Sequence, residues 1–391
     1  MGFSTRKPVD ARRGHGADRG DDPVQARSRY GLAGNGRRLI LLLSAVLLLC
    51  GSARAEVLRI ATWNVELDRQ GPGLLARDIA GGEDAQVLAV LRVLAALDAD
   101  VLLLTGVDYD RGLVAAGLLA ERLALLGTPY AHRFALRPNT GTQTGLDLDG
   151  DGHAGGPDDA QGWGRFAGQG GMLILSRLPV DGEAVRDFSG FLWADLPGAL
   201  LPQGMSPEVR AVQRLSTTGH WEVPLITAGG GRLRLLAFHA TPPVFDGPED
   251  RNGRRNHDEA AFWLALLDGR LEGLAPPEPP FLLIGDSNLD PMDGDGRPDA
   301  IRALLAHRAL DDVPPRGAHG RSEPGHAGDP GLDTAVFAQT GGLRVDLVVP
   351  SAGLEVTGAG VMWPAPGDAL LADLAAASRH FPVWVEIVLP D

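Results

Sequence analysis

Four runs of aliphatic residues, each joined to a short polar cluster, constrain this chain more than any other feature. Leu58 to Ala61 leads into Thr62-Trp63-Asn64-Val65-Glu66, and Phe281 to Ile284 leads into Gly285-Asp286-Ser287-Asn288. Arg344-Val345-Asp346-Leu347 opens the run Val345 to Val349, and Ser378-Arg379-His380-Phe381-Pro382-Val383 opens the run Val383 to Leu389. Short β-branched and aliphatic runs bounded by turn residues predict strands, so each cluster falls at a strand tip. Tips and the loops beyond them are where a sheet scaffold gathers polar chemistry. Asn64, Glu66, Asp286, Asn288, Asp346 and His380 brought together there supply oxygen ligands for Mg²⁺ or Mn²⁺ and a His-Asp pair, a set suited to hydrolysing a phosphate ester.

The first 55 of the 391 residues read differently from the rest. Residues 1–36 are rich in Arg, Asp and Gly without apolar periodicity, the pattern of a disordered or over-extended start. Arg37-Arg38 then precede an apolar run from Leu39 to Cys50 and the sequence Ala53-Arg54-Ala55, which together predict a signal peptide over residues 37–55, cleaved near Ala55. The run is shorter than the roughly 20 residues a membrane-crossing helix needs. A lipoprotein start at Cys50 is the alternative, but Leu49 is bulky where a small residue is expected. The expected product is secreted or periplasmic, a single domain over residues 56–391 with no transmembrane span, acting as a monomer.

Cys50 is the only cysteine, so the segment after Ala55 has neither a disulfide framework nor thiolate metal ligands. The formal charge of the chain is −14; the first 55 residues hold ten basic and four acidic side chains, leaving about −20 on the remainder. Such a surface repels polyanions, which argues against a stable nucleic-acid complex and favours a small or lipid-head phosphate ester as substrate.

Helices are predicted at Ala85 to Leu97, Leu113 to Leu126 and His257 to Leu271. Further strands are predicted at Val57 to Leu67, Asp100 to Leu104, Gly171 to Ser176 and Leu233 to His239. Strands alternating with helices and meanders point to two sheets packed face to face with helices outside.

The order and strand context of the four clusters resemble the endonuclease/exonuclease/phosphatase superfamily from Glu56 to the C-terminus. The resemblance implies a DNase I-like α/β fold, a four-layer sandwich of two mostly antiparallel sheets flanked by helices. It implies that Asn64 contacts metal or phosphate and that Glu66, two residues on along the same strand face, adds a ligand. It further implies that Asp286 positions or deprotonates the attacking water, that Asn288 holds a phosphoryl oxygen, and that His380, supported by Asp346, serves the scissile phosphate or leaving group. His239, ending its strand, matches the mid-chain histidine that touches phosphate; a structural strand-end histidine is the alternative.

Three departures stand out. Where the family carries the glutamate that is the principal Mg²⁺ ligand, this chain has Gly106, leaving Asp108 or Glu66 as substitutes or else a catalytically disabled scaffold. Ser287 replaces an aromatic. Arg379 replaces an aspartate and would meet a substrate phosphate, as would Arg254 and Arg255 in the polar run opening the third predicted helix, although a solvated charged loop explains that run equally well.

A separate motif lies in a predicted insertion near residues 139–170. Asp147, Asp149 and Asp151 occupy positions 1, 3 and 5 of an EF-hand-like loop, Gly152 position 6, His153 position 7 through its carbonyl and Asp158 position 12. This predicts a lone structural Ca²⁺ loop; a flexible acidic turn is the alternative. The function expected from the whole is a divalent-metal-dependent phosphoesterase, with an extracellular nuclease or a disabled calcium-binding protein as rivals.

Overall fold

The computed structural model describes residues 56–389, which fall within one compact unit of the chain, so the predicted signal peptide lies outside the described residues. Two sheets form the centre. The first runs in the order β12 (Glu355–Val361), β13 (Val383–Val388), β1 (Val57–Leu67), β2 (Val101–Val107), β4 (Gly171–Ser176) and β3 (His132–Phe134). The second runs β11 (Asp346–Pro350), β8 (Phe281–Asp286), β7 (Arg232–His239), β6 (Gly219–Ile226) and β5 (Arg186–Asp187). Each is antiparallel except for one pair, β1 with β2 and β7 with β8. A ribbon of β9 (Ala335–Phe337) and β10 (Gly341–Leu343) completes the strands.

Alternation explains the layering. Along β7, Leu233, Leu235 and Ala237 pack into the core shared with the first sheet, whereas Leu236 and Phe238 join a second core beneath helices. In β8, Leu282 and Ile284 face the first sheet, and Phe281 and Leu283 face the helices. The chain's other faces are covered by α1 (Leu74–Gly81), α2 (Ala85–Leu97), α3 (Val114–Leu125) and α7 (Leu370–Ala377) on the first sheet, and by α5 (Arg251–Leu267) and α6 (Asp299–Leu305) on the second. A single turn, α4 (Pro207–Arg210), lies on the connection before β6. The result is the predicted four-layer α/β sandwich. Among the described residues no helix is long and apolar enough to cross a membrane.

Local chemistry sets the ends of these elements. α2 starts where the Asp84 carboxylate accepts the Val87 amide at 2.8 Å, and its apolar stripe of Val87, Val90, Leu94 and Leu97 faces the core. The third predicted helix is displaced: α5 begins at Arg251, six residues before the predicted His257, and ends at Leu267 rather than Leu271. Its first two turns bury Arg255, Asn256, Asp258 and Glu259, so a polar run that masks the helical apolar pattern is nonetheless an inward face.

Candidate active site

Strand register assembles the site. His239 on β7, Asp286 on β8 and Asp346 on β11 are partners across three neighbouring strands. By parity with Ala237, Ile284 and Val348, all three project toward the first sheet. Close approach of β7 and β8 depends on Gly285, at φ 139°, since a Cβ there would lie 1.9 Å from the Phe238 carbonyl oxygen. From the first sheet, Asn64 donates through Nδ2 to Asp286 Oδ2 at 2.8 Å, and His380 meets Asp346 through Nδ1···Oδ2 at 2.8 Å. Asp286, Asp346 and His380 are buried, with ligand-capable atoms within 4.8 Å of one another.

The electrostatics follow from that burial. Desolvation would drive the proton off His380, but the adjoining Asp346 carboxylate, helped by Asp286 and Glu66, outweighs it and raises the imidazole to about 9. Burial, reinforced by the neighbouring Asp346, raises Asp286 above the usual carboxylate range. Desolvation lowers His239, though it is partly exposed at the groove, despite Asp286, whose Oδ2 lies 3.5 Å from its Nε2. The arrangement thus pairs a proton-holding His380 with a proton-accepting Asp286.

Asn288 sits at φ 48°, its amide donating to Asp286 Oδ1 at 2.8 Å and its Nδ2 to the Ala240 carbonyl at 3.0 Å. It therefore orients Asp286. Thr334, not anticipated from the sequence, donates its hydroxyl to Asp346 Oδ2 at 2.9 Å while accepting the amides of Val345 and Asp346. Nothing in the Asp333-Thr334 dipeptide signals this role. Asn256, another unanticipated residue, ties α5 to the site by donating to the carbonyls of Thr241 and Ser287.

At the tip of β1, a register shift against β2 places Glu66 at φ 48° and Gly106 at φ 70°. A Cβ on Gly106 would sit 2.5 Å from Asn64 Oδ1 and 3.1 Å from the Glu66 amide nitrogen, and its φ lies where side chains are strained, so the glutamate that the resemblance implies would both strain the backbone and displace the Asn64 side chain. Glu66 is instead bound by Arg379, through Nε at 2.7 Å, through Nη2, and through its backbone amide at 2.9 Å. Burial opposes ionisation of Glu66, but the Arg379 hydrogen bonds prevail and hold its carboxyl below the usual range.

Asn64, Glu66, Asp68, His239, Arg255 and Arg379 all line one groove of about 1230 Å³. Asp108 does not reach that wall: its oxygens accept the amides of Arg69 and Gly170, at 2.9 and 3.0 Å, and burial raises its carboxyl to about 6. Its placement fits a loop anchor rather than the metal ligand anticipated. Arg254 also lies off the groove, donating to the Glu249 carbonyl at 3.0 Å. Arg255 is buried and clamps the carbonyls of Leu215, Gln161, Arg214 and Ser216. Neither Arg254 nor Arg255 is placed as a free phosphate receptor.

In the acidic loop, carboxylate oxygens of Asp147, Asp149 and Asp151 come within 4.8 Å of one another. The His153 amide donates to Asp151 at 2.7 Å, and its ring is exposed. Asp158 is exposed and outside the group; the next residue, Asp159, closes the loop by accepting the amides of Leu148, Gly155 and Gly156.

Comparison with known proteins bears on the fold and the family. Similar solved structures include an endonuclease/exonuclease/phosphatase from Beutenbergia cavernae, 20% identical, covering 86% of this chain and 72% of that one with a TM-score of 0.50. Sphingomyelinase C from Streptomyces griseocarneus is 18% identical over 85% and 99% of the two chains, with a TM-score of 0.44. The human nocturnin catalytic domain with bound sulfate is 14% identical over 85% and 95%, with a TM-score of 0.46. At that identity the Beutenbergia cavernae likeness speaks to the fold alone. No curated protein matches the chain. The sequence itself matches the endonuclease/exonuclease/phosphatase family across residues 61–380, from within β1 to His380, and the chain belongs to that family of phosphoester hydrolases.

Proposed function

We propose that this protein is a divalent-metal-dependent phosphoesterase, secreted or periplasmic after loss of the segment ending near Ala55, that acts on small or lipid-head phosphate esters. The observation that carries the reading is the row of groove-lining His239 with buried Asp286 and Asp346, joined by Asn64 and His380. Asp286 accepts the proton of the attacking water, Asn64 and Asn288 hold its carboxylate in place, and His380, kept protonated by Asp346, donates to the leaving oxygen. His239 offers its uncharged ring to a phosphoryl oxygen; its Nδ1 is buried with no partner.

The residues present fit Mg²⁺ or Mn²⁺. Glu66 and Asp68 bring carboxylates and Asn64 a carboxamide oxygen to the lining of the groove, and a buried Asp346 Oδ1 has no hydrogen-bond partner. Asn64 and Glu66 would hold the ion, which when bound supplies charge neutralisation at the phosphoryl oxygens. For substrate size, exposed Trp163 and Phe245 stand on the same groove wall, a surface for an apolar substituent next to the phosphate. The net negative charge supports a small ester over a polynucleotide, with an extracellular nuclease as second choice. Gly106 favours the rival of a disabled, calcium-binding scaffold.

Hydrolysis of bis(p-nitrophenyl) phosphate and p-nitrophenyl phosphate, with and without Mg²⁺, tests the reading. His380→Ala and Asp286→Ala are each expected to lower metal-dependent turnover by about 10²-fold or more. Equal turnover in both variants and the parent would sink it.

A further inference from the structure

Resting on the metal-assisted reading above, we infer that Arg379 and a divalent cation compete for Glu66, and that substrate phosphate resolves the competition by taking over the displaced guanidinium. Both Glu66 oxygens are committed: Oε1 to Arg379 Nε and Nη2, and Oε2 to the Arg379 amide and, at 3.3 Å, to Ser378 Oγ. Glu66 sits in the left-handed region at φ 48° within the register shift of β1 against β2, and its carboxylate is held there by the Arg379 and Ser378 hydrogen bonds. Position 106 is a glycine at φ 70°, which supplies no replacement ligand. A cation at Glu66 Oε1 therefore occupies the place where the guanidinium already sits, and two positive charges cannot share one oxygen at contact distance without strong repulsion.

Arg379 is free to leave. Its side chain is 63% exposed, its guanidinium rests over the Phe337 ring at 5.2 Å, and it lines the same groove as His239. A phosphate dianion in that groove offers the planar, bidentate partner that a guanidinium prefers. Metal alone must break the Arg379–Glu66 pair, and phosphate alone finds the guanidinium occupied. Together each removes the other's obstacle, so the two ligands bind with positive coupling, reciprocal by linkage.

The test is Mn²⁺ affinity, measured by titration calorimetry on the folded protein with and without inorganic phosphate. An Asp149→Ala background keeps the acidic loop from contributing. The parent is expected to bind Mn²⁺ about 10-fold tighter when phosphate is present. Arg379→Gln should bind Mn²⁺ about 10-fold tighter than the parent without phosphate, and gain little from adding it. Glu66→Gln should lose this Mn²⁺ site while keeping the parent's circular dichroism. Unchanged or weaker Mn²⁺ binding by Arg379→Gln, or Mn²⁺ binding by the parent that ignores phosphate, overturns the competition, as does the absence of Mn²⁺ binding in every variant. Ester turnover is read separately on the same preparations. Turnover without the affinity pattern leaves the phosphoesterase reading standing and removes the competition; the affinity pattern without turnover does the reverse.

Discussion

At position 106 two constraints coincide: a positive φ of 70° and an Asn64 oxygen 2.5 Å from where a Cβ would begin. Gly106→Ala is expected to cost about 1–3 kcal/mol in urea unfolding, and Gly106→Glu should cost no less and add no activity. A Gly106→Glu variant that folds normally and gains metal-dependent turnover would contradict the described tip of β1. His380 yields a second expectation. Its folded pKa, about 9, exceeds the ordinary value near 6.5, so the native state holds a proton that the unfolded chain releases earlier as pH rises. The stability contributed by the pair is fully present below about pH 6.5 and is lost as pH climbs through about 9. Urea midpoints from about pH 6 to about pH 10 should therefore fall in the parent and fall less in His380→Gln. The sequence disclosed His380 and Asp346 because each stands beside an aliphatic run. Thr334 was illegible, since its role depends on a tertiary approach of the β9 entrance to β11 that no local pattern encodes.

The elements differ in how much of themselves they show. Strand β8 was legible because burial on both faces demands an unbroken apolar run, and β1 and β7 because aliphatic residues dominate both faces around Arg59 and Arg234. The start of α5 was not, because its inward face is made of hydrogen-bonding hooks. Asp258 accepts the Trp193 ring N–H and the Leu200 amide, Glu259 accepts the amides of Thr217 and Thr241, and Arg255 gathers four carbonyls. Polar residues at helical spacing read as a solvated loop unless the chain that meets them is known. If Arg255 is a clamp, Arg255→Met leaves buried carbonyls unsatisfied and should lower stability by at least about 2 kcal/mol. KM of the folded fraction should stay near that of the parent. A raised KM with unaltered stability would return Arg255 to substrate binding.

Across the whole molecule, two features of the sequence survive into the fold and meet at one groove, the row of candidate catalytic residues and the acidic loop, whose Asp147, Asp149 and Asp158 line it with Asn64 and His239. The loop keeps three of its carboxylates in one group, and the closing role passes from Asp158 to Asp159 because only the latter is turned inward onto backbone amides. Calcium is expected to raise the melting temperature, Asp149→Ala to abolish the rise, and Asp158→Ala to leave it; an equal rise in Asp149→Ala, followed by differential scanning fluorimetry, would remove the loop from consideration. The catalytic row belongs to a larger scale than any of its residues. His239, Asp286 and Asp346 face inward only because β7, β8 and β11 pair in one register, and a slip of one residue in any of them turns its member to the opposite face. Hydrolytic activity recovered after denaturation consequently counts the molecules whose second sheet has paired correctly, and a compact but misaligned chain would pass every measure of secondary structure while scoring zero.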